Sequence, residues 1–151
     1  MKNTQIKFNM LTFLTLFLTI FILAACDKDE VIAEAELPAS ARDFVATHFP
    51  EQTISQVVQD KDKKSVSFDV VLDNGIDLDF KEDGTCKSIE GLVQLRDSVI
   101  PEDILAYVNA KYPENVIIEW ELEGNKREVQ LNSGIELKFN INGTFLRIDN
   151  D

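Results

Sequence analysis

Short blocks of sequence in the first half of this chain recur in the same order in the second half, and this internal repeat limits the possible fold more than any other feature. Phe49-Pro50-Glu51 matches Tyr112-Pro113-Glu114 at an offset of 63 residues. Gly75-Ile76-Asp77-Leu78-Asp79-Phe80 matches Gly134-Ile135-Glu136-Leu137-Lys138-Phe139 at an offset of 59 residues. Matching blocks in the same order indicate one structural unit used twice. We therefore predict two tandem repeats, at residues 37–95 and 96–151.

Each repeat begins with the signals of a helix and continues with those of strands. Pro38 and Pro101 suit the first helical position, and Pro50 and Pro113 stop a helix after about three turns. Apolar and polar residues then alternate, which is typical of half-buried antiparallel strands. The alternating apolar residues are Val66, Phe68, Val70, Leu72, Ile76, Leu78 and Phe80, then Val116, Ile118, Trp120, Leu122, Val129, Leu131, Ile135, Leu137, Phe139 and Ile141. We predict an α+β fold in which each repeat is a helix followed by about four antiparallel strands, with a type I′ turn at Asp73-Asn74-Gly75.

The same alternation predicts one apolar sheet face under the helices and one open, mostly acidic face. The chain has 27 acidic and 15 basic residues, and its formal net charge is −12. Such a charge repels nucleic acid and anionic membrane, so we expect no nucleic-acid partner. The candidate binding residues on the open face are Asp69, Asp77, Asp79, Glu119, Glu121, Glu128 and Glu136.

The repeated blocks resemble the PepSY-like family of β-lactamase-inhibitor-like proteins, small exported proteins found mainly in Bacteroidetes. The resemblance covers nearly all of residues 37–150 and implies that the strands form a curved sheet with the helices on one face. In the β-lactamase inhibitor protein the open face grips an enzyme, and PepSY domains are associated with peptidase inhibition. The open face here is acidic and lacks a row of exposed aromatic residues, so we do not predict lactamase inhibition.

Residues 1–25 have the pattern of a secretory leader. Lys2 and Lys7 precede an apolar stretch from Met10 to Ala25 that is too short for a comfortable membrane span. Leu23-Ala24-Ala25-Cys26 resembles the lipobox of bacterial lipoproteins, with a chance cysteine after an ordinary leader as the alternative. We predict cleavage before Cys26 and membrane attachment through lipid on that cysteine.

Residues 26–36 are small and acidic, and we predict that they form a flexible tether before structure begins near Leu37. Asp27-Lys28-Asp29-Glu30 resembles the acid-rich signal that directs Bacteroidetes lipoproteins to the outer face of the outer membrane. The alternatives are a charged linker and, by the proteobacterial rule for Asp27, retention at the inner membrane. We predict attachment to the outer membrane, with the domain facing the cell surface or the periplasm.

Ser98 is a candidate modification site in the linker between the repeats. Asp97-Ser98-Val99 matches the short motif used for O-glycosylation of exported proteins in the same phylum. The alternative is that Ser98 is the N-cap of the second helix.

The sequence offers little for catalysis. A nucleophile needs a nearby base, and the chain has one histidine, His48, which Lys111 replaces in the second repeat. With Cys26 acylated, Cys86 is the remaining cysteine, so no internal disulfide can form, and we expect Cys86 to be a core or interface residue. We predict no enzymatic activity and no cofactor.

Carboxylates near the turns could accept calcium, which prefers oxygen ligands. The candidates are Asp60 with Asp62, and Asp73 with Asp77 and Asp79. Their spacing differs from that of a known calcium loop, and we expect a solvated strand face instead. We therefore assign no metal ligand and keep calcium as the lesser alternative.

Two functions from different classes fit these features. The first is a binding or inhibitory module whose open face docks on an exported protein of unknown identity. The second is a passive envelope component or a surface lipoprotein that binds calcium or a small ligand. Loss of a stoichiometric protein partner after charge reversal at Asp77 and Glu136 would support the first.

Overall fold

The computed structural model describes residues 29–62 and 64–149, which form an open antiparallel sheet with two α-helices. The nine strands follow one another across the sheet in chain order. The helices are α1 (Ala39–His48) and α2 (Glu102–Lys111), and short 3₁₀ helices lie at Glu34–Glu36 and Asp97–Val99. The strands are β1 (Glu30–Val31), β2 (Ile54–Lys61), β3 (Val66–Leu72), β4 (Asp77–Lys81), β5 (Cys86–Glu90), β6 (Ile117–Glu123), β7 (Lys126–Leu131), β8 (Glu136–Asn140) and β9 (Phe145–Asp149).

Both helices lie between the prolines that predicted them. Pro38 and Pro101 are the N-cap residues of α1 and α2. Each helix ends at an aromatic residue whose backbone N–H donates to a carbonyl one turn earlier, from Phe49 to Val45 at 2.8 Å and from Tyr112 to Val108 at 2.7 Å. The proline that follows cannot continue the helix. Four strands follow each helix, β2–β5 after α1 and β6–β9 after α2.

Both helices pack on the same face of the sheet. Residues directly opposite each other on antiparallel strands share a face, and one such inner row is Leu78, Ile89, Trp120, Val129 and Leu137. Phe44 of α1 meets Phe80 edge to face at 5.7 Å between ring centroids. Tyr107 of α2 meets Phe139 in the same way at 5.4 Å. The other face is left open.

A single apolar core holds the sheet and helices together. Phe49, Phe80 and Phe139 are its largest fully buried side chains, and burying such a side chain stabilises the fold by roughly 1.5–3 kcal/mol. Within the described part of the chain, the buried apolar residues all lie between Leu37 and Phe139. A chain that starts at Asp29 keeps every one of them, so we expect it to fold.

The alternation in β6 changes phase where the prediction kept it constant. The register shifts between Ile117 and Glu119, as at a β-bulge. Ile117 is therefore buried together with Trp120, whereas Ile118 is only half-buried. The predicted inward run of Val116, Ile118 and Trp120 is wrong at its start, because a bulge adds one residue to the strand and reverses the faces beyond it.

The predicted type I′ turn after β3 is also wrong. A type I′ turn needs positive φ at both central residues. Among the described residues only glycines have positive φ, so Asn74 cannot supply the first of them. Gly75, with φ of 80°, is the one left-handed residue of this turn. The Leu72 N–H closes the turn by donating to the Ile76 carbonyl.

In the part of the chain that the structure describes, regular structure is already present at Glu30, ahead of the predicted start near Leu37. Glu30 and Val31 pair with Gln59 and Val58 of β2, and the Ile32 N–H donates to the Val57 carbonyl at 3.0 Å. Part of the expected tether therefore forms an edge of the sheet. The leader and Cys26 lie outside the described residues. Neither helix within residues 29–62 and 64–149 has the length and apolar content that a membrane span requires.

Candidate functional site

The open side of the sheet carries two rows of polar side chains that run across the strands. One row contains Asp77, Glu90, Glu119, Gln130, Glu136 and Asp149, each opposite the next. The other contains Asp69, Asp79, Ser88, Glu121, Glu128, Lys138 and Arg147. We call the carboxylates of the central strands the acidic face: Asp69, Asp77, Asp79, Glu90, Glu119, Glu121, Glu128 and Glu136. All seven predicted candidates lie on this face.

Carboxylates stand directly opposite one another at four places on the acidic face. The pairs are Asp69 with Asp79, Asp77 with Glu90, Glu90 with Glu119, and Glu121 with Glu128. Cβ atoms in such pairs are about 4.5–5.5 Å apart, and like charges in this position destabilise a sheet. The face thus concentrates negative charge at a cost in folding stability.

Burial and crowding make three of these carboxyl groups harder to ionise. Burial is the main cause that raises the pKa of Asp69, and the charges of Asp79 and Asp77 add to it. Burial likewise raises the pKa of Asp77, against the backbone N–H of Leu78, which lowers it. Burial raises the pKa of Glu119, with Glu90 as the strongest neighbouring charge. A cation at this face would relieve the repulsion.

Two lysines neutralise part of the second row. Lys87 Nζ lies 3.1 Å from Asp79 Oδ2 and 3.6 Å from Glu121 Oε1. The hydrogen bond to Asp79 is the main cause of the raised pKa of Lys87. Lys138 Nζ lies 2.9 Å from Glu128 Oε2 and also pairs with Asp149. One carboxylate oxygen, Oδ1 of Asp79, is buried without a described hydrogen-bond partner.

Four carboxylates on β3 to β6 have no such compensation. Within the described part of the chain, Asp69, Asp77, Glu90 and Glu119 form no ion pair with lysine or arginine. Glu136 instead accepts a hydrogen bond from Gln130 Nε2 at 3.2 Å. The part of the acidic face on β3 to β6 is therefore its most negative part.

The shape of the face suits a broad contact. A concavity of about 310 Å³ is lined by Asp69, Asp77, Asp79, Ser88 and Glu90. Within residues 29–62 and 64–149, no three or more histidine, cysteine or carboxylate side chains are grouped closely enough to hold a metal ion. The carboxylates are spread so that several cationic groups could contact them at once.

Glu90 and Lys87 were missed by the sequence reasoning. Both belong to β5, whose pairing with β4 shifts register between Asp79 and Phe80 so that Lys87 is the extra residue. The short alternation Ser88-Ile89-Glu90 could have indicated that Glu90 shares the face of Asp77. The role of Lys87 depends on its approach to Glu121 of β6, which has no local signal in the sequence.

The residues considered for catalysis lie elsewhere and contact different groups. His48 lies 4.4 Å from the Phe44 ring, and its Nδ1 is 3.1 Å from Ser98 Oγ. Cys86 is buried on the helix side of the sheet, and burial raises the pKa of its thiol to about 12. Its Sγ lies 3.5 Å from the Ser88 carbonyl. A thiol with that pKa is a poor nucleophile at neutral pH.

Ser98 is exposed in the 3₁₀ helix before α2. The N-cap of α2 is Pro101, and it makes no side-chain capping bond, so the alternative that Ser98 caps this helix is wrong. The exposed hydroxyl faces His48 across the two halves of the chain.

The carboxylates considered for calcium do not form one group. Asp62 Oδ1 accepts the backbone N–H of Ser65 at 2.8 Å in the turn after β2. Asp73 Oδ2 accepts the Thr53 hydroxyl at 2.9 Å. Asp60 lies opposite Ser67 on the open side of the sheet, and Asp77 and Asp79 lie on the acidic face. Asp77 and Asp79 therefore share a strand face, on which the Asp79 side chain is only 22% exposed, and Asp73 lies in the turn before it.

Residues 66–147 match the family described as "Putative beta-lactamase-inhibitor-like, PepSY-like". This span exceeds half of the chain. The chain belongs to this PepSY-like family. The resemblance found in the repeated blocks is thus confirmed.

Solved structures of Bacteroides proteins share the fold. A "putative periplasmic protein from DUF2874 family" of Bacteroides vulgatus is 30% identical with a TM-score of 0.77, covering 83% of this chain and 99% of its own. A second B. vulgatus "putative periplasmic protein of unknown function" is 28% identical with a TM-score of 0.77, covering 82% and 100%. A "putative calcium-regulated periplasmic protein" of Bacteroides thetaiotaomicron is 26% identical with a TM-score of 0.77, covering 81% and 97%. No curated protein matches the chain. These relatives are described as periplasmic, and none indicates an enzyme family.

Proposed function

We propose that this chain is an exported, non-enzymatic binding module whose acidic face docks on a basic surface of an envelope or extracellular protein. The observation that carries the proposal is the set of opposed carboxylates without cationic partners, centred on Asp77, Glu90 and Glu119. Like charges in opposed positions cost folding stability, and lysine or arginine side chains of a partner would relieve that cost. A surface that breaks a local rule of sheet design in this way marks a functional site.

The expected interface is charged and salt-sensitive. Complementary charges speed association and select the partner more than they raise affinity. The acidic face has few aromatic anchors, so contacts to lysine and arginine would provide most of the recognition. Inhibition would follow where the partner is a hydrolase whose active-site rim is basic.

Membrane attachment through lipid on Cys26 belongs to the same proposal. It is supported by the Leu23-Ala24-Ala25-Cys26 motif and by the periplasmic description of the relatives. Three residues lie between Cys26 and Glu30, where β1 begins, and the four steps from one Cα atom to the other span at most about 14 Å. The β1 edge would then lie close to the outer membrane, whether the domain faces the periplasm or the cell surface.

The two-repeat organisation also remains a proposal. It is supported by the order of elements, since each helix precedes four strands and each half contributes carboxylates to one face. O-glycosylation at Ser98 is proposed on the Asp97-Ser98-Val99 motif and on the exposure of its hydroxyl. A glycan there would lie on the helix side and leave the acidic face free.

Calcium binding is the second candidate function. It is favoured by the relative described as calcium-regulated and by the concavity lined by Asp69, Asp77, Asp79 and Glu90. Calcium takes six to eight oxygen ligands. The carboxylates here are spread over several strands, so we expect loose association of calcium with the face rather than a closed site.

The two candidates can be separated with the chain from Asp29 onward. A lysine-rich peptide is titrated against the protein, and envelope proteins are captured on it at low and high salt. Asp77→Lys with Glu119→Lys tests the acidic face. Asp43→Lys with Glu82→Lys, at exposed positions outside the face, changes the net charge equally and is the control.

Docking predicts salt-sensitive peptide binding and a stoichiometric basic partner, both lost in the face variant and kept in the control. Calcium binding predicts a calcium-dependent rise in melting temperature that the face variant abolishes, with no protein partner. Binding that both variants retain would refute a role for the acidic face.

A further inference from the structure

The strand β9 has one paired edge and one open edge. It pairs with β8, and no other described strand pairs with it. Its Leu146 and Ile148 are 49% and 44% exposed. An open edge presents unpaired backbone N–H and C=O groups, so it is a template for a further strand.

β9 lacks the second neighbouring strand that β5 has in β6. Ile89 of β5 and Ile148 of β9 occupy corresponding places, opposite Leu78 and Leu137 on the inner face. Ile89 is fully buried because β6 places Trp120 opposite it. No described strand lies beyond Ile148, which remains 44% exposed. A strand that brings an apolar residue opposite Ile148 would complete the packing.

The sequence of β9 is complementary to itself. Arg147 and Asp149 lie on the outer face, opposite Lys138 and Glu136, and Ile148 lies between them on the inner face. If a second β9 pairs antiparallel about Ile148, the two isoleucines face each other. Arg147 Nη2 already lies 3.1 Å from Oδ2 of its own Asp149, which Lys138 also contacts. In the pair, each Arg147 also faces Asp149 of the other copy, so positive and negative charges alternate across the contact. A register centred on Arg147 would instead oppose two guanidinium groups, which is unfavourable.

We propose that β9 is a homodimerisation edge through which two copies join their sheets in antiparallel register about Ile148. The contact is isologous and closes on itself, so it yields a dimer rather than a filament. A two-fold axis perpendicular to the sheet puts both acidic faces on the same side. The dimer therefore presents two acidic faces side by side. This proposal does not depend on what binds those faces.

Cysteine cross-linking tests the register in the full chain. Opposed residues on antiparallel strands have Cα atoms about 4.5–5.5 Å apart, which suits a disulfide. Ile148→Cys should give a disulfide-linked dimer on a non-reducing gel after mild oxidation of the envelope. Val31→Cys is the control, because Val31 is 68% exposed on β1 at the opposite edge. Cys86 is buried and is the same in both variants.

A charge exchange tests the complementarity in solution with the chain from Asp29 onward. Arg147→Asp and Asp149→Arg each oppose like charges and should weaken self-association about tenfold or more. An equal mixture of the two restores both Arg–Asp contacts, so it should form heterodimers of wild-type affinity. Val31→Lys should leave the dimer unchanged. Sedimentation equilibrium measures association, and circular dichroism checks that each variant is folded.

Each outcome of these experiments either supports or overturns dimerisation through β9. Cross-linking at Ile148 but not Val31, with heterodimers in the mixture, supports the proposal. Equal cross-linking at the two positions would indicate random collision and overturn it. So would a wild-type protein that stays monomeric at millimolar concentration, or folded charge variants that do not associate when mixed.

Discussion

Replacing Asp69 by asparagine should stabilise the fold and weaken binding of a basic partner. Asp69 stands opposite Asp79 on the acidic face, and burial and this neighbour raise its pKa. The ionised form is therefore disfavoured in the folded state relative to the unfolded chain. Asparagine keeps the size and polarity of the side chain but removes the charge.

The magnitude follows from the geometry of the pair. Opposed side chains on adjacent strands contribute roughly 0.2–1 kcal/mol. Lys87 already neutralises part of the charge of Asp79, and Asp69 is only half-buried, so solvent screens the repulsion. We expect the free energy of unfolding to rise by about 0.5 kcal/mol at low salt, or roughly 2 °C in melting temperature for a chain of this size.

Asp83→Asn is the matched control because it removes the same charge in an exposed turn. Asp83 Oδ1 accepts the Thr85 N–H at 2.8 Å, and this bond lowers the pKa of Asp83. Removing the Asp83 charge should leave the free energy of unfolding unchanged or should lower it. Urea unfolding at low and high salt measures both variants, and titration with a lysine-rich peptide measures binding. Equal effects of the two variants would refute the reasoning, as would a gain for Asp69→Asn that persists at about 1 M salt, where charge repulsion is screened.

Three further predictions concern pH, packing and reactivity. Asp69, Asp77 and Glu119 have raised pKa values in the folded state, so the stability that is present below their ordinary pKa values is lost as pH rises through the raised ones. The free energy of unfolding should therefore increase as pH falls from neutral toward the ordinary Asp and Glu pKa values of about 4, and a steady decrease over that range would contradict this. Gly75→Ala should cost about 1–2 kcal/mol for its left-handed backbone alone, whereas Gly84→Ala should cost clearly more in urea unfolding, because its Cβ would lie 2.0 Å from Ser40 Oγ and 3.0 Å from the Ala41 nitrogen; equal costs would exclude the clash. Cys86 should react with a thiol reagent at pH 8 only after unfolding, and rapid labelling of the native protein would show that it is accessible.

Much of the local structure follows from the sequence. Prolines in matching places bound the two helices, and alternation identifies strands because successive side chains point to opposite faces. The same period of two assigns Asp69, Asp77 and Asp79 to the polar face of the first half. It likewise assigns Glu119, Glu121 and Glu128 to the polar face of the second half. Charge, the family resemblance and the acidic character of the open surface therefore all come from the sequence alone.

Only the tertiary structure shows that these two sets of carboxylates form one continuous face. β5 pairs with β6, which sets Glu90 opposite Glu119 and lets Lys87 reach both Asp79 and Glu121. Alternation is a local property, whereas cross-strand neighbours depend on which strands pair and in which register. Packing of the whole core decides both, and a single bulge changes them.

The two edges of the sheet also depend on the tertiary structure rather than on the sequence alone. Nothing in the acidic stretch after Cys26 indicates that Glu30 and Val31 pair with β2. Likewise, Ile89 and Ile148 occupy equivalent positions along the sequence, yet one is buried and the other is 44% exposed. The sequence alone determines which residues point inward and which point to the open face. The tertiary structure decides which of them gain a neighbour, because only the assembled sheet determines where strands end at an open edge.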